Sequence, residues 1–201
     1  MEQRTVEWEL ARCGSLGASV AGKALGRLKK SNERTKEAFD LMYEIAAERL
    51  TGVPAKRVNA LWWGKEHEDE ARAAYAFLTN APVTKIGLIP HPTIAHAHAS
   101  PDSLVGDDGG LEIKCPTSAV HLQTLLSKQI PEEHLPQIHW NMACSGRQWW
   151  DFMSYDPRFL DDRLQFFVKR VERDPVEVEA MENGVRAFLA ELQEKIRVLA
   201  A

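Results

Sequence analysis

No stretch of this 201-residue sequence stays apolar for the roughly 18 residues that a membrane-spanning helix needs. Its first residues also lack the apolar centre of a secretory signal. Both absences lead to the expectation of a cytoplasmic protein. Cysteine is scarce: Cys13, Cys115 and Cys144 are three, an odd number, spaced too widely for a disulfide framework or a zinc pattern. Reduced thiols fit the same compartment. There is no internal repeat, low-complexity tract or dividing linker, so residues 1–201 are expected to form a single domain. Overall positive charge is missing too. With 25 Lys and Arg against 29 Asp and Glu the net charge is −4, which does not by itself point to nucleic acid. At 44% hydrophobic and 27% charged, the composition is that of an ordinary folded chain.

The charge that is present is unevenly distributed. Between residues 12 and 36, Arg12, Lys23, Arg27, Lys29, Lys30, Arg34 and Lys36 face one acid, Glu33. A basic segment on an acidic body can meet a phosphate backbone, or it can be a solvated helix face.

Periodicity and punctuation suggest the elements. Helices are expected over 15–29, with Ser15 or Ser19 near the start, and over 34–50, with Phe39, Met42, Tyr43 and Ala46 on one face. A third is expected from about Asn59 to Leu78, where Ala71, Ala74, Tyr75 and Leu78 form the apolar stripe and Glu68 lies one turn earlier. Residues 83–89, 94–105 and 110–115 read as strands of a mostly antiparallel meander, the last two joined by the turn Gly106-Asp107-Asp108-Gly109. Helices over 117–126 and 134–145 follow. Strands over 149–155 and 164–171 are separated by Asp156-Pro157. A long amphipathic helix follows the Asp174-Pro175 start signal. This order predicts an α/β (α+β) domain with a central mixed β-sheet flanked by helices.

The chemistry concentrates in SPDSLVGDDGGLEIKC, residues 100–115. Strand alternation sends Glu112 and Lys114 to one face and Leu111, Ile113 and Cys115 to the other. If the hairpin closes at Gly106 to Gly109, Asp102 falls nearly opposite Glu112, where facing Cβ atoms are about 4.5–5.5 Å apart. Two bare carboxylates at that range repel. A divalent cation between them removes the penalty, and oxygen ligands favour Mg²⁺ or Mn²⁺, with the Ile113 carbonyl as a further donor. Lys114 is then placed to hold or activate a water and to stabilise phosphoryl charge. The residues alone leave a plainer reading open, in which Asp102 starts a turn and Glu112 pairs with Lys114 on a wet face.

The pattern resembles the PD-(D/E)XK nuclease core, with Pro101-Asp102 and Glu112-Ile113-Lys114 as its signature. More narrowly, the chain is similar to the phage lambda exonuclease / YqaJ-type viral recombinase family. The matching stretches are Trp8, Arg12 and Ser19; Trp63-Gly64-Lys65 with Glu68 and Ala71-Arg72; SPD to GLEIKCP; Gln137; and Tyr155-Asp156-Pro157-Arg158. They run in order over roughly residues 8–195.

The resemblance implies a restriction-endonuclease-like fold and an ATP-independent 5′→3′ exonuclease. Such an enzyme digests one strand of linear double-stranded DNA to mononucleotides, leaving a 3′ overhang for recombination by strand annealing. It implies Mg²⁺ as cofactor (Mn²⁺ able to substitute), two ions per active site, double-stranded DNA ends as substrate, a ring-shaped homotrimer, and a single-strand annealing protein as partner. Phage or prophage origin in a bacterial host cell follows in the same way. Carried residue by residue, Asp102, Glu112 and the Ile113 carbonyl bind metal, and Glu68 completes a second position. Lys114 contacts the attacking water, Gln137 orders the shell around it, and Arg12 and Ser19 hold the DNA 5′-phosphate. The stretch 118–136 departs from the family pattern.

Two other readings stand beside this one: a restriction- or repair-type endonuclease on the same core, and a non-catalytic DNA-end-binding recombination scaffold. His91, His96, His98, His121, His134 and His139 lack the further ligands of a zinc site and read as structural or surface residues. Most of the six tryptophans read as buried core or subunit contact.

Overall fold

The computed structural model describes residues 3–55 and 62–199. The Asn59 start expected for the third helix lies outside them. The described residues form two sheets and seven α-helices. A small sheet, in the order β1-β4-β3, is formed by β1 (Leu16–Gly17), β3 (Ile89–Pro90) and β4 (Ala97–Ala99). The larger sheet is β2-β5-β6-β7-β8, from β2 (Val83–Thr84), β5 (Ser103–Val105), β6 (Gly109–Lys114), β7 (Trp149–Tyr155) and β8 (Phe166–Glu172). Its centre is mixed: β5 runs antiparallel and β7 parallel to β6.

The helices are α1 (Val6–Arg12), α2 (Ala18–Ala24), α3 (Lys36–Thr51), α4 (Trp62–Thr79), α5 (Ser118–Ser127), α6 (Leu135–Ser145) and α7 (Pro175–Leu199). Local chemistry sets several of their ends. Thr5 caps α1 by accepting from the Trp8 N–H, and Thr35 caps α3 by accepting from the Ala38 N–H. Gly52, at φ 69°, closes α3. The Asp174 carboxylate accepts from the Val176 N–H where α7 starts at Pro175. None of the described helices is long and apolar enough to cross a membrane.

Several expected elements differ from this arrangement. The helix expected over 15–29 is only α2, because Ser15 to Gly17 is drawn out to pair with β4. The buried face of α3 is Ala38, Leu41, Met42, Ile45 and Glu48; Tyr43 and Leu78, assigned to apolar stripes, are exposed. The expected meander is split between the two sheets, with 83–89 contributing one end to each. The helix α1, overlooked in the sequence, places no buried residue in the core. The basic segment is partly consumed internally: Arg34 is buried and grips Glu191 through two bonds of 2.9 and 3.0 Å, Arg27 reaches the same carboxylate, and Lys36 pairs with Asp40.

One core cluster joins α2, α3, α6 and α7 to the small sheet, and two more lie on the faces of the larger sheet. Leu111, Ile113, Cys115, Met153 and Tyr155 pack with Ala71 and Tyr75 of α4. Trp150 and Phe152 pack with Ile138 and Met142 of α6 on the opposite face. The parallel register sets Gly109 beside Trp149 and Gly110 beside Trp150. A Cβ at Gly110 would lie 2.3 Å from the Trp150 ring, and that ring is fully buried. Gly110→Ala therefore overpacks the centre of the sheet and is expected to cost about 1–3 kcal/mol. At about 2–4 °C per kcal/mol for a domain of this size, a scanning calorimeter should see the thermal midpoint fall. An unchanged midpoint would mean that the indole yields freely.

The Tyr155–Arg158 turn locks the far end of β7. The buried Asp156 carboxylate accepts from the Arg158 N–H at 3.0 Å and from both sides of its guanidinium at 2.7 and 2.9 Å. Burial alone would raise this carboxyl, yet the Arg158 and Ser118 hydrogen bonds hold it down to about 2. A carboxyl lowered by folding stabilises above its unfolded value and loses that contribution as pH falls through the folded one. Asp156→Asn should thus be less stable than wild type near neutrality. The gap should close between about pH 4 and pH 2 in denaturant titrations; a gap independent of pH would contradict the assignment.

Candidate active site

The hairpin of β5 and β6 builds the site. The ladder pairs Ser103 with Leu111, so the next step sets Asp102 beside Glu112, as the turn predicts. β5 ends there, and the Asp102 carboxylate takes over its role by accepting from the Ile113 N–H at 2.6 Å. The N–H and C=O of one extended residue point to the same strand edge, so the Ile113 carbonyl is turned toward that edge as well.

Glu112 is not on a wet face. It is 1% exposed, on the side of the sheet covered by α6. Its Oε1 accepts from Lys114 Nζ at 2.6 Å and from Gln137 Nε2 at 2.6 Å, and its Oε2 accepts from Asn141 Nδ2 at 3.2 Å. Gln137 Oε1 in turn accepts from Lys114 Nζ at 3.4 Å. Gln137 and Asn141 are four residues apart on α6 and present both amides to one carboxylate. The plainer alternative, a solvated Glu112–Lys114 pair, is excluded by this burial. Asn141 was missed in the sequence, although its i, i+4 relation to Gln137 was there to be read.

The electrostatics follow from the crowding. Asp102 is partly exposed as a residue, but desolvation of its carboxyl and the neighbouring Glu112 charge push its pKa well above the usual carboxylate range, with Glu68 adding to this. Burial would lower Lys114, but the Glu112 and Asp102 carboxylates overcome it and hold the ammonium pKa above its ordinary value.

Glu68, from α4, lies on a cavity of about 580 Å³ with Asp102, Arg72, Arg4 and Lys85. Its carboxylate accepts from Arg4 at 2.5 Å and from Arg72 at 2.7 Å. The buried Arg72 also donates to Ser103 Oγ at 2.7 Å and to the Asp102 carbonyl at 3.4 Å. It thus ties α4 to the start of the hairpin, a role the sequence did not reveal.

Among the described residues no three His, Cys, Asp or Glu side chains converge as a ready-made metal cluster. The donors that neighbour one another in register are the Asp102 and Glu112 carboxylates, with the Ile113 carbonyl on the strand edge where Asp102 bonds, all hard oxygens. Burial first and the neighbouring Glu112 charge second disfavour the Asp102 anion, a cost that a hard divalent cation offsets. The residues present therefore fit Mg²⁺ or Mn²⁺.

The two expected phosphate ligands lie at the junction of α1 and α2. Arg12 ends α1, its guanidinium 3.9 Å from the centre of the Trp8 ring, and Nη2 borders Gly17, the residue that precedes α2. Ser19 is exposed in the first turn of α2. It shares a helix face with Gly22, which packs on Pro136, the neighbour of Gln137. Trp63-Gly64-Lys65 falls in the first turn of α4. Of the histidines, His121 is buried between Ser154 and the Leu164 carbonyl, a structural role.

A family model, the YqaJ-like viral recombinase domain, matches residues 7–148. The crystal structure of an alkaline exonuclease (LHK-Exo) from Laribacter hongkongensis is 43% identical with a TM-score of 0.88, covering 98% of this chain and 96% of that one. LHK-Exo in complex with dAMP gives 42% identity and a TM-score of 0.89 over 97% and 96%. A phage related exonuclease from Haemophilus somnus 129PT is 13% identical, with a TM-score of 0.70 over 92% and 96%, a likeness in fold alone. No curated protein matches the chain. The fold is that of the PD-(D/E)XK nucleases.

Proposed function

The chain belongs to the YqaJ-like viral recombinase domain family, and from that premise we propose that it is a Mg²⁺-dependent 5′→3′ exonuclease acting on double-stranded DNA ends. It digests one strand to mononucleotides and leaves a 3′ overhang for strand annealing. The observation that carries this reading is the buried Glu112, clasped by Lys114, Gln137 and Asn141 beside Asp102. A carboxylate 1% exposed next to a second one is costly as mere architecture, and it suits phosphodiester hydrolysis.

Asp102, Glu112 and the Ile113 carbonyl would hold the first ion. Glu68 would join a second once Arg4 releases its oxygen. When bound, the ions supply Lewis acidity to the scissile phosphate and to water. The rest falls to the side chains. Gln137 and Asn141 fix the Glu112 carboxylate in one orientation. Lys114, kept as an ammonium by its neighbours, donates hydrogen bonds to the attacking water and to the phosphoryl oxygens as charge builds on them. Arg12 presents a forked donor set to the 5′-phosphate, with Ser19 beside it. A ring-shaped homotrimer encircling the duplex in the cytoplasm of a bacterial host, handing its product to a single-strand annealing protein, completes the proposal.

The test is digestion of linear duplex carrying a label at either the 5′ or the 3′ end, in Mg²⁺ or in EDTA, beside a closed circular plasmid. The 5′ label should leave first, as a mononucleotide, in Mg²⁺ alone, with the circle intact. Cleavage of the circle would favour an endonuclease, and binding of ends without any digestion a scaffold.

A further inference from the structure

His98 is 3% exposed in the middle strand of the small sheet, between Gly17 and Pro90. Its Nε2 lies 3.3 Å from Arg12 Nε and its Nδ1 lies 2.9 Å from Ser15 Oγ. An arginine Nε–H only donates, so Nε2 is the acceptor and Nδ1 carries the proton, which it gives to Ser15. The ring is held in place by more than these two bonds. The His98 carbonyl accepts from Trp140 Nε1 at 3.1 Å, and a Cβ at Gly17 would come within 3.0 Å of the imidazole. His98 therefore stands between the end of α1 and the start of α2, touching both.

We propose that His98 is a positioning residue that fixes the Arg12 guanidinium for the 5′-phosphate. The proposal rests on the reading of Arg12 as the phosphate ligand. The Trp8 ring covers one face of the guanidinium, and His98 takes its Nε edge. Trp8 Nε1 in turn donates to the Gly87 carbonyl at 2.9 Å and to Ser100 Oγ at 3.2 Å. Thus α1 grips residues 98 and 100 of the segment that arrives at Asp102. β4 ends at Ala99, and residues 100–102 carry the chain from it to Asp102 at the head of β5. The histidines read in the sequence as merely structural thus include one that belongs to the site.

The experiment compares 5′-phosphorylated with 5′-hydroxyl duplex ends, taking the ratio of kcat/KM as the phosphate preference. Arg12→Ala should bring the preference near one. His98→Ala should lower it about tenfold, the order of one hydrogen bond to a charged group. His98→Gln, whose side chain can place an acceptor near the Nε2 position, should recover most of the preference. His98→Asn, which can reach only Ser15, should not. Arg12→Ala/His98→Ala should match Arg12→Ala alone, because the histidine acts through the arginine. A wild-type preference near one, or one that survives Arg12→Ala, removes the anchor reading itself. A preference that collapses in Arg12→Ala but stays within about twofold of wild type in His98→Ala and His98→Asn overturns the positioning role alone. Equal loss on both kinds of end in every His98 variant overturns it too.

Discussion

Lys114→Met is expected to lower cleavage of linear duplex by about 10²–10³-fold, the range for losing one preorganised stabiliser of transition-state charge, while binding of DNA ends changes little. The ammonium sits 2.6 Å from Glu112 and 3.4 Å from Gln137, with the side chain 30% exposed toward the site. Methionine keeps much of the stem and removes the charge. Glu112 would still accept from Gln137 and Asn141, so the hairpin should survive, and a thermal scan separates lost chemistry from lost fold. Single-turnover rates measured with end binding on the same preparations decide the matter. Wild-type turnover would remove Lys114 from the mechanism, and parallel loss of binding would reassign it to DNA contact.

Asp102→Asn should separate activity from stability in opposite directions. Asparagine keeps a carbonyl oxygen for the Ile113 N–H, so the local geometry has no reason to change. It removes a carboxyl that burial and Glu112 disfavour as an anion. In metal-free buffer the variant should equal or exceed wild type in thermal midpoint, by about 2–4 °C if the relief is near 1 kcal/mol. Digestion in Mg²⁺ should fall below detection. A site kept for stability would behave the other way, losing midpoint with activity unaffected. Such opposition is expected where carboxylates are gathered for chemistry rather than for packing.

The helix-rich order, the mixed sheet and the hairpin were legible because hydrophobic period and turn residues are local signals. Asp102 opposite Glu112 followed from counting across Gly106 to Gly109. Other features depended on distant partners and could not be read locally. Nothing near Ser15 shows that it will be drawn straight to pair with residues 96–98, which shortens the expected helix to α2. Residues 83–89 resemble one strand, yet their ends serve different sheets. The solvated Glu112–Lys114 pair stayed open as an alternative because the apolar cover on that face comes from α6, more than twenty residues on. Arg72 and His98 gave no local sign of their roles: each is defined by what folds against it, Ser103 and Glu68 for the first, Arg12 and Ser15 for the second.

The most direct test of the central claim is calorimetric titration of Mn²⁺ into the protein without DNA, for wild type, Asp102→Asn and Glu112→Gln. Wild type should bind Mn²⁺ with measurable heat, and each variant should weaken that binding by at least about tenfold. Mn²⁺ binding that is equal in all three proteins would contradict the assignment of these two acids as the metal site.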